Sequence, residues 1–135
     1  MVDQAIPEVV VYLCKNCLPQ SGRLPVQWIE AGMHLRVKEI PCSGKIDAQY
    51  LLHALESGVH GVCVLACSKG ECTLTQGNYR AEIRVRTVQR LLQEIGLDPQ
   101  RAEIRNCPDD QSLDQIRTMI NESARRFSGV ARMPV

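Results

Sequence analysis

Seven cysteines in a chain of 135 residues are the groups best equipped for chemistry. Five fall in three short clusters: Cys14-Lys-Asn-Cys17, Pro41-Cys42-Ser43-Gly44, and Cys67-Ser-Lys-Gly-Glu-Cys72. Cys63 and Cys107 stand apart. Thiolates are soft ligands that suit zinc, copper(I) and iron–sulfur clusters, and a reactive Cys-x-x-Cys also exchanges with disulfides. Seven is an odd number, so a closed disulfide framework would leave one thiol over. In a reducing compartment, clustered cysteines bind metal or carry redox chemistry instead. One Cys-x-x-Cys is a weak signal; three clusters in one small chain are a stronger one.

The remaining residues add little chemistry. His34, His53 and His60 share no metal-ligand spacing and are expected to be solvent-exposed or satisfied by local hydrogen bonds. There is no Gly-x-Gly-x-x-Gly, no phosphate loop, no Ser-His-Asp set and no pair of carboxylates spaced for acid–base work. Sixteen basic and fifteen acidic residues leave a net charge of +1, without the basic excess of a nucleic-acid binder. No apolar run approaches the roughly 18 residues of a membrane span, and the first residues lack the pattern of a secretory signal. A cytoplasmic location is therefore expected, with neither nucleic acid nor membrane as partner.

These thiols need positioning, and the chain reads as strands alternating with helices. Val9–Leu13 and Gly61–Ala66 are short continuous apolar runs of the kind buried on both faces of a parallel sheet. Leu35–Ile40 alternates like an edge or half-exposed strand, and Ala102–Arg105 is a weaker strand. Helices are expected over Pro25–Ala31, Ala48–Ser57, about 76–95 and 113–127, with Pro25, Asp47 and Ser112 as start signals and Gly32, Gly58 and Gly96 as stops. On the long helix, Ile83, Val88, Leu91, Leu92 and Ile95 recur at helical spacing and are expected to form its inner stripe. Trp28 and Tyr12 are expected in the core. Four β–α units give an α/β class: one mainly parallel sheet of about four strands with flanking helices, a three-layer Rossmann- or flavodoxin-like arrangement. Residues 1–135 are expected to form a single domain, with a core over about 8–127 and a loose tail over 128–135.

In an open parallel sheet, ligands bind where the carboxyl ends of the strands converge. Each expected strand runs into cysteine there: Cys14 and Cys17, Cys42, Cys67 and Cys72, and Cys107. Gly44 and Gly70 would let backbone amides approach the sulfurs, one of the levers on cluster potential. Cys63 lies inside a strand and is expected to be a small buried hydrophobe. Cys107 sits at the right edge but without a neighbour in sequence. Arg80, Arg84, Arg86 and Arg90 make the long helix basic; Glu82–Arg86 pairs at i, i+4 on what reads as a solvated face, with a docking surface for an acidic partner as the alternative.

Taken in order, Cys14-Lys-Asn-Cys17 after a buried strand, Pro41-Cys42-Ser43-Gly44, Cys67-x4-Cys72, Gly77-Asn78-Tyr79-Arg80-Ala81-Glu82, Arg84 and Leu91-Leu92-Gln93-Glu94-Ile95-Gly96 resemble the iron–sulfur delta subunit family of methyl-viologen-reducing hydrogenase. The likeness covers about residues 8–125. It implies a [2Fe–2S] cluster ligated from among Cys14, Cys17, Cys42, Cys67 and Cys72, with Asn78 and Arg80 in the stretch beside it. It also implies an electron-transfer subunit, not itself catalytic, between a hydrogenase or formate dehydrogenase and the flavin-containing subunit of a heterodisulfide-reductase-type complex. Thr73 departs from the pattern, which has histidine after the second cysteine of the third loop; Cys107 has no counterpart in it. Two other readings of the same thiols are a structural or regulatory zinc module and a thiol–disulfide protein working through Cys14 and Cys17.

Overall fold

The computed structural model describes residues 6–14, 18, 23–40, 47–67, 77–107 and 112–130, with the backbone alone at 67 and 77–79. Five strands form one sheet: β1 (Glu8–Cys14), β2 (Gln27–Glu30), β3 (Met33–Ile40), β4 (Gly61–Cys67) and β5 (Ala102–Cys107). Three α-helices accompany them: α1 (Ala48–Glu56), α2 (Gly77–Glu94) and α3 (Leu113–Ser128). The strand order is β2-β3-β1-β4-β5, and every pairing is parallel except β2 with β3. The class is α/β with three layers.

β1 is central, hydrogen-bonded to β3 on one side and β4 on the other, so its run of Val9, Val10, Val11, Tyr12 and Leu13 has no solvent face. Alternate residues enter different cores, as strand pleating requires. Val10, Tyr12, Val62 and Val64 pack under α1 and α2, through Leu51, Leu55, Ala81, Val85, Val88 and Leu92. Val9, Val11, Leu13, Leu35, Cys63 and Leu65 pack on the opposite face under α3, through Ile116, Ile120, Ala124 and Phe127.

The helix ends follow the sequence signals. Asp47 Oδ1 accepts the Tyr50 amide (2.8 Å) at the start of α1. A reciprocal capping box opens α3, where the Gln115 amide donates to Ser112 Oγ (3.2 Å) and the Ser112 amide donates to Gln115 Oε1 (2.8 Å). Gly58 and Gly96 hold φ of 107° and 87° just past α1 and α2, conformations that only glycine adopts freely.

Two expectations fail. The helix expected over Pro25–Ala31 is instead strand β2, the antiparallel edge of the sheet. Trp28 and Ile29 are good strand formers, and Ala31 and Gly32, at φ of 55° and 76°, make the tight two-residue turn of a hairpin into β3. Trp28 faces Leu35 across that hairpin, donates its indole N–H to Asn121 Oδ1 (2.9 Å), and lies 4.8 Å under the Arg117 guanidinium. These long-range contacts override a short helical pattern. β3 is consequently the second strand, and its alternation is that of the half-exposed strand, the other of the two expected readings.

The second failure is on α2. Its buried residues are Ala81, Val85, Val88 and Leu92, whereas Ile83 is 62% exposed and Ile95 70%. The inner stripe is therefore rotated from the expected one at both ends of the helix.

Candidate metal centre

In the strand order, β1 and β4 lie side by side while their neighbours in sequence run outward in opposite directions. That is the topological switch point of an open parallel sheet, where a crevice forms beyond the carboxyl ends. The last residue of β1 is Cys14 and the last of β4 is Cys67. The register pairs Leu13 with Leu65, so both cysteines emerge within two residues of the same rung on adjacent strands. Their position needs no loop to explain it; it follows from two central strands whose pairing is fixed by apolar contacts on both faces.

Cys14 is buried, and its register partner on the other side is Ile40, the last residue of β3. Cys42 follows two positions later in sequence. Cys17, Cys42 and Cys72 lie outside the described residues. Among the described residues no three histidine, cysteine or acidic side chains come together as a metal site. Thiols at strand ends on both sides of the switch point fit a soft metal or iron–sulfur group; Cys14 would contribute from β1 and Cys67 from β4. Asn78 and Arg80 lie in the first turn of α2, which begins ten residues after Cys67, and Arg80 is exposed.

Cys107 ends β5 as the direct register partner of Cys67 and is buried. Its expected place at the carboxyl edge is correct, and its side chain belongs to the apolar cluster under α3.

Cys63 is wholly buried in β4, as expected, but its surroundings are not purely apolar. Its thiol donates to Glu103 Oε2 (3.6 Å) and lies 3.8 Å from Ser123 Oγ. The Ser123 hydroxyl donates to the same carboxylate oxygen (2.6 Å), and Arg126 pairs with the other. These partners sit on β5 and α3, 40 and 60 residues away, and nothing local in the sequence announces them. Burial and then the Glu103 carboxylate push the Cys63 thiol well above its usual range; the Ser123 hydrogen bond pulls the other way. Cys63 therefore stays a neutral thiol at about pH 8, and only a thiolate is nucleophilic. In the folded chain it should resist iodoacetamide at that pH and become labelled only in denaturant. Mass mapping of modified peptides checks this; fast labelling of Cys63 in the native state would contradict its placement.

The histidines are structural. His60 is buried with Nε2 2.8 Å from the Phe127 carbonyl near the end of α3. His34 meets Gln27 (2.7 Å), and His53 is exposed beside Glu56. No described helix is long and apolar enough to cross a membrane.

Comparison with known proteins adds to this geometry. A family model described as methyl-viologen-reducing hydrogenase, delta subunit, matches residues 9–129. An iron-sulfur subunit of the F420-non-reducing hydrogenase of Archaeoglobus profundus is 31% identical over 133 residues, covering 94% of this chain and 95% of that protein. The corresponding vhu iron-sulfur subunit of Methanocaldococcus jannaschii is 33% identical over 101 residues, 75% of each chain. A ferredoxin:CoB-CoM heterodisulfide reductase subunit of Methanosarcina mazei is 35% identical over 96 residues, covering 70% of this chain but 12% of that longer protein.

Proposed function

Because the chain belongs to the family of the delta subunit of methyl-viologen-reducing hydrogenase, we propose that it is an electron-transfer subunit whose strand-end cysteines hold a [2Fe–2S] cluster. The ligands are drawn from Cys14, Cys17, Cys42, Cys67 and Cys72, with Asn78 and Arg80 beside the site. The observation that carries this reading is the arrival of Cys14 and Cys67 on adjacent central strands at the switch point. The group supplies a one-electron couple. The protein's own part is to hold the thiolates on a rigid sheet edge and to exclude water from Cys14, which is buried.

On this reading the chain is one non-catalytic domain in the cytoplasm. It relays electrons from a hydrogenase or formate dehydrogenase to the flavin subunit of a heterodisulfide-reductase-type complex. Two relatives named as iron-sulfur subunits of hydrogenases support the donor side. The matching segment within the Methanosarcina mazei heterodisulfide reductase supports the acceptor side, since the same sequence unit is there built into the reductase itself. The zinc and thiol–disulfide readings draw no comparable support. A thiol–disulfide pair at Cys14 and Cys17 would also leave Cys42, Cys67 and Cys72 without a role.

The test is a relay assay under anaerobic conditions. The cluster-loaded chain is reduced by hydrogenase and hydrogen, then mixed with a purified flavin-containing subunit of a heterodisulfide-reductase-type complex that carries no copy of this sequence unit in its own chain. Reoxidation of the chain with matching flavin reduction is the expected result. A chain that accepts electrons from hydrogenase but passes none on, or accepts none at all, would refute the relay.

A further inference from the structure

The isoleucine that α2 turns away from the core points into a basic surface. Ile83 is 62% exposed on the outer face, opposite Ala81, Val85, Val88 and Leu92. At about 100° per residue, Arg80 and Arg86 lie to either side of that outward direction, and Arg90 stands almost in line with Ile83 two turns on. Thr87 and Glu94 complete the face. Arg80 and Arg90 are exposed, and Arg90 has no ion-pair partner among the described residues; Arg86 reaches Glu82 at 3.4 Å from a side chain that is itself 70% exposed. The helix carries four arginines and no lysine against Glu82 and Glu94, a surplus of two positive charges in a chain whose total is +1. Arginine with an exposed aliphatic side chain is the composition of a binding surface; lysine is what a merely solvated face favours.

We infer that the outer face of α2, with Ile83 set among Arg80, Arg86 and Arg90, docks an acidic surface of the electron-accepting partner. The position suits that task. α2 starts at Gly77, ten residues after β4 ends at the carboxyl edge of the sheet, and Ile83 lies roughly 9 Å along the helix from its start. A partner seated here rests against the edge that carries Cys14 and Cys67. Its carboxylates face the guanidinium groups, and an apolar contact covers Ile83. Exposed, oppositely charged surfaces steer encounter and fix orientation, so the contact weakens with salt. The inference rests on the acceptor side of the relay proposed above.

Binding of a purified flavin-containing heterodisulfide-reductase-type subunit that carries no copy of this sequence unit to the cluster-loaded chain tests it, by titration at low and at high salt. Wild type should bind at low salt and weaken as salt rises. Ile83→Glu should weaken binding at least tenfold, as should the double variant Arg86→Glu, Arg90→Glu, which should also lose most of the salt dependence. The double variant Arg86→Lys, Arg90→Lys should retain much of the affinity. Visible and far-ultraviolet spectra should match wild type throughout, because none of the three side chains is buried. Wild-type binding left unchanged by both acidic variants overturns the docking face and leaves the relay standing. No binding by the wild type overturns the proposed partner, and the docking face with it.

Discussion

Cys67→Ser should give a folded, colourless chain that retains essentially no iron, whereas Cys63→Ser should stay coloured with its iron unchanged. The two residues lie four positions apart on one strand, so the pair separates ligation from strand integrity. Cys67 is the last residue of β4, beyond the last rung shared with β1, at the switch-point edge. A serine oxygen is a harder ligand, held by a hydroxyl that does not ionise near neutral pH, and cannot stand in for thiolate toward iron. Cys63 is sealed between β1, β5 and α3, and serine there can still donate to Glu103. The same loss is expected for Cys14→Ser and Cys42→Ser. Iron analysis and the visible spectrum of anaerobically prepared variants check all four. A bleached Cys63→Ser beside a brown Cys67→Ser would reverse the assignment.

Phe127→Ala should lower the unfolding free energy by about 3–5 kcal/mol, the usual cost of emptying a core phenylalanine site. Phe127 is buried near the end of α3, and its ring lies against Gly61, the first residue of β4. A Cβ on Gly61 would stand 2.6 Å from Cδ1 of that ring and 3.1 Å from the Arg101 carbonyl. Gly61→Ala alone should therefore cost about 1–3 kcal/mol through overpacking. The two defects meet in the same space, because the added methyl partly fills the void left by the ring. The double variant should lose less than the sum of the singles, by roughly 0.5–3 kcal/mol. Urea unfolding of the four proteins gives the cycle; strict additivity would mean that the ring and the glycine do not share this contact. Iron content of the folded variants should not change, since Gly61 lies at the opposite end of β4 from Cys67.

Where one residue's surroundings are set by its own strand, the sequence is legible. Val9–Leu13 and Gly61–Ala66 announce central strands because both faces are covered and no polar alternation is needed. Cys14, Cys67 and Cys107 then fall at the strand ends without further assumption. β2 is not legible in this way. Its conformation is set by Trp28 finding Leu35, Asn121 and Arg117, two of them on a helix about 90 residues later. The same holds for the Glu103, Ser123 and Arg126 group around Cys63, assembled from β5 and α3. On α2, periodicity identifies the helix correctly but not its rotation. Ala81 and Val85 are the small inner residues at its start, while Ile83 is large and faces outward. A departure from the core pattern at Ile83 fits the tendency of local rules to break at functional surfaces.

Metal content separates an iron–sulfur cluster on the strand-end thiols from every other use of them. Iron, acid-labile sulfide and zinc should be measured together on the anaerobically purified chain. A brown protein with about two irons and two sulfides per chain and negligible zinc is expected. A colourless protein holding about one zinc per chain in tetrahedral thiolate coordination would contradict the cluster.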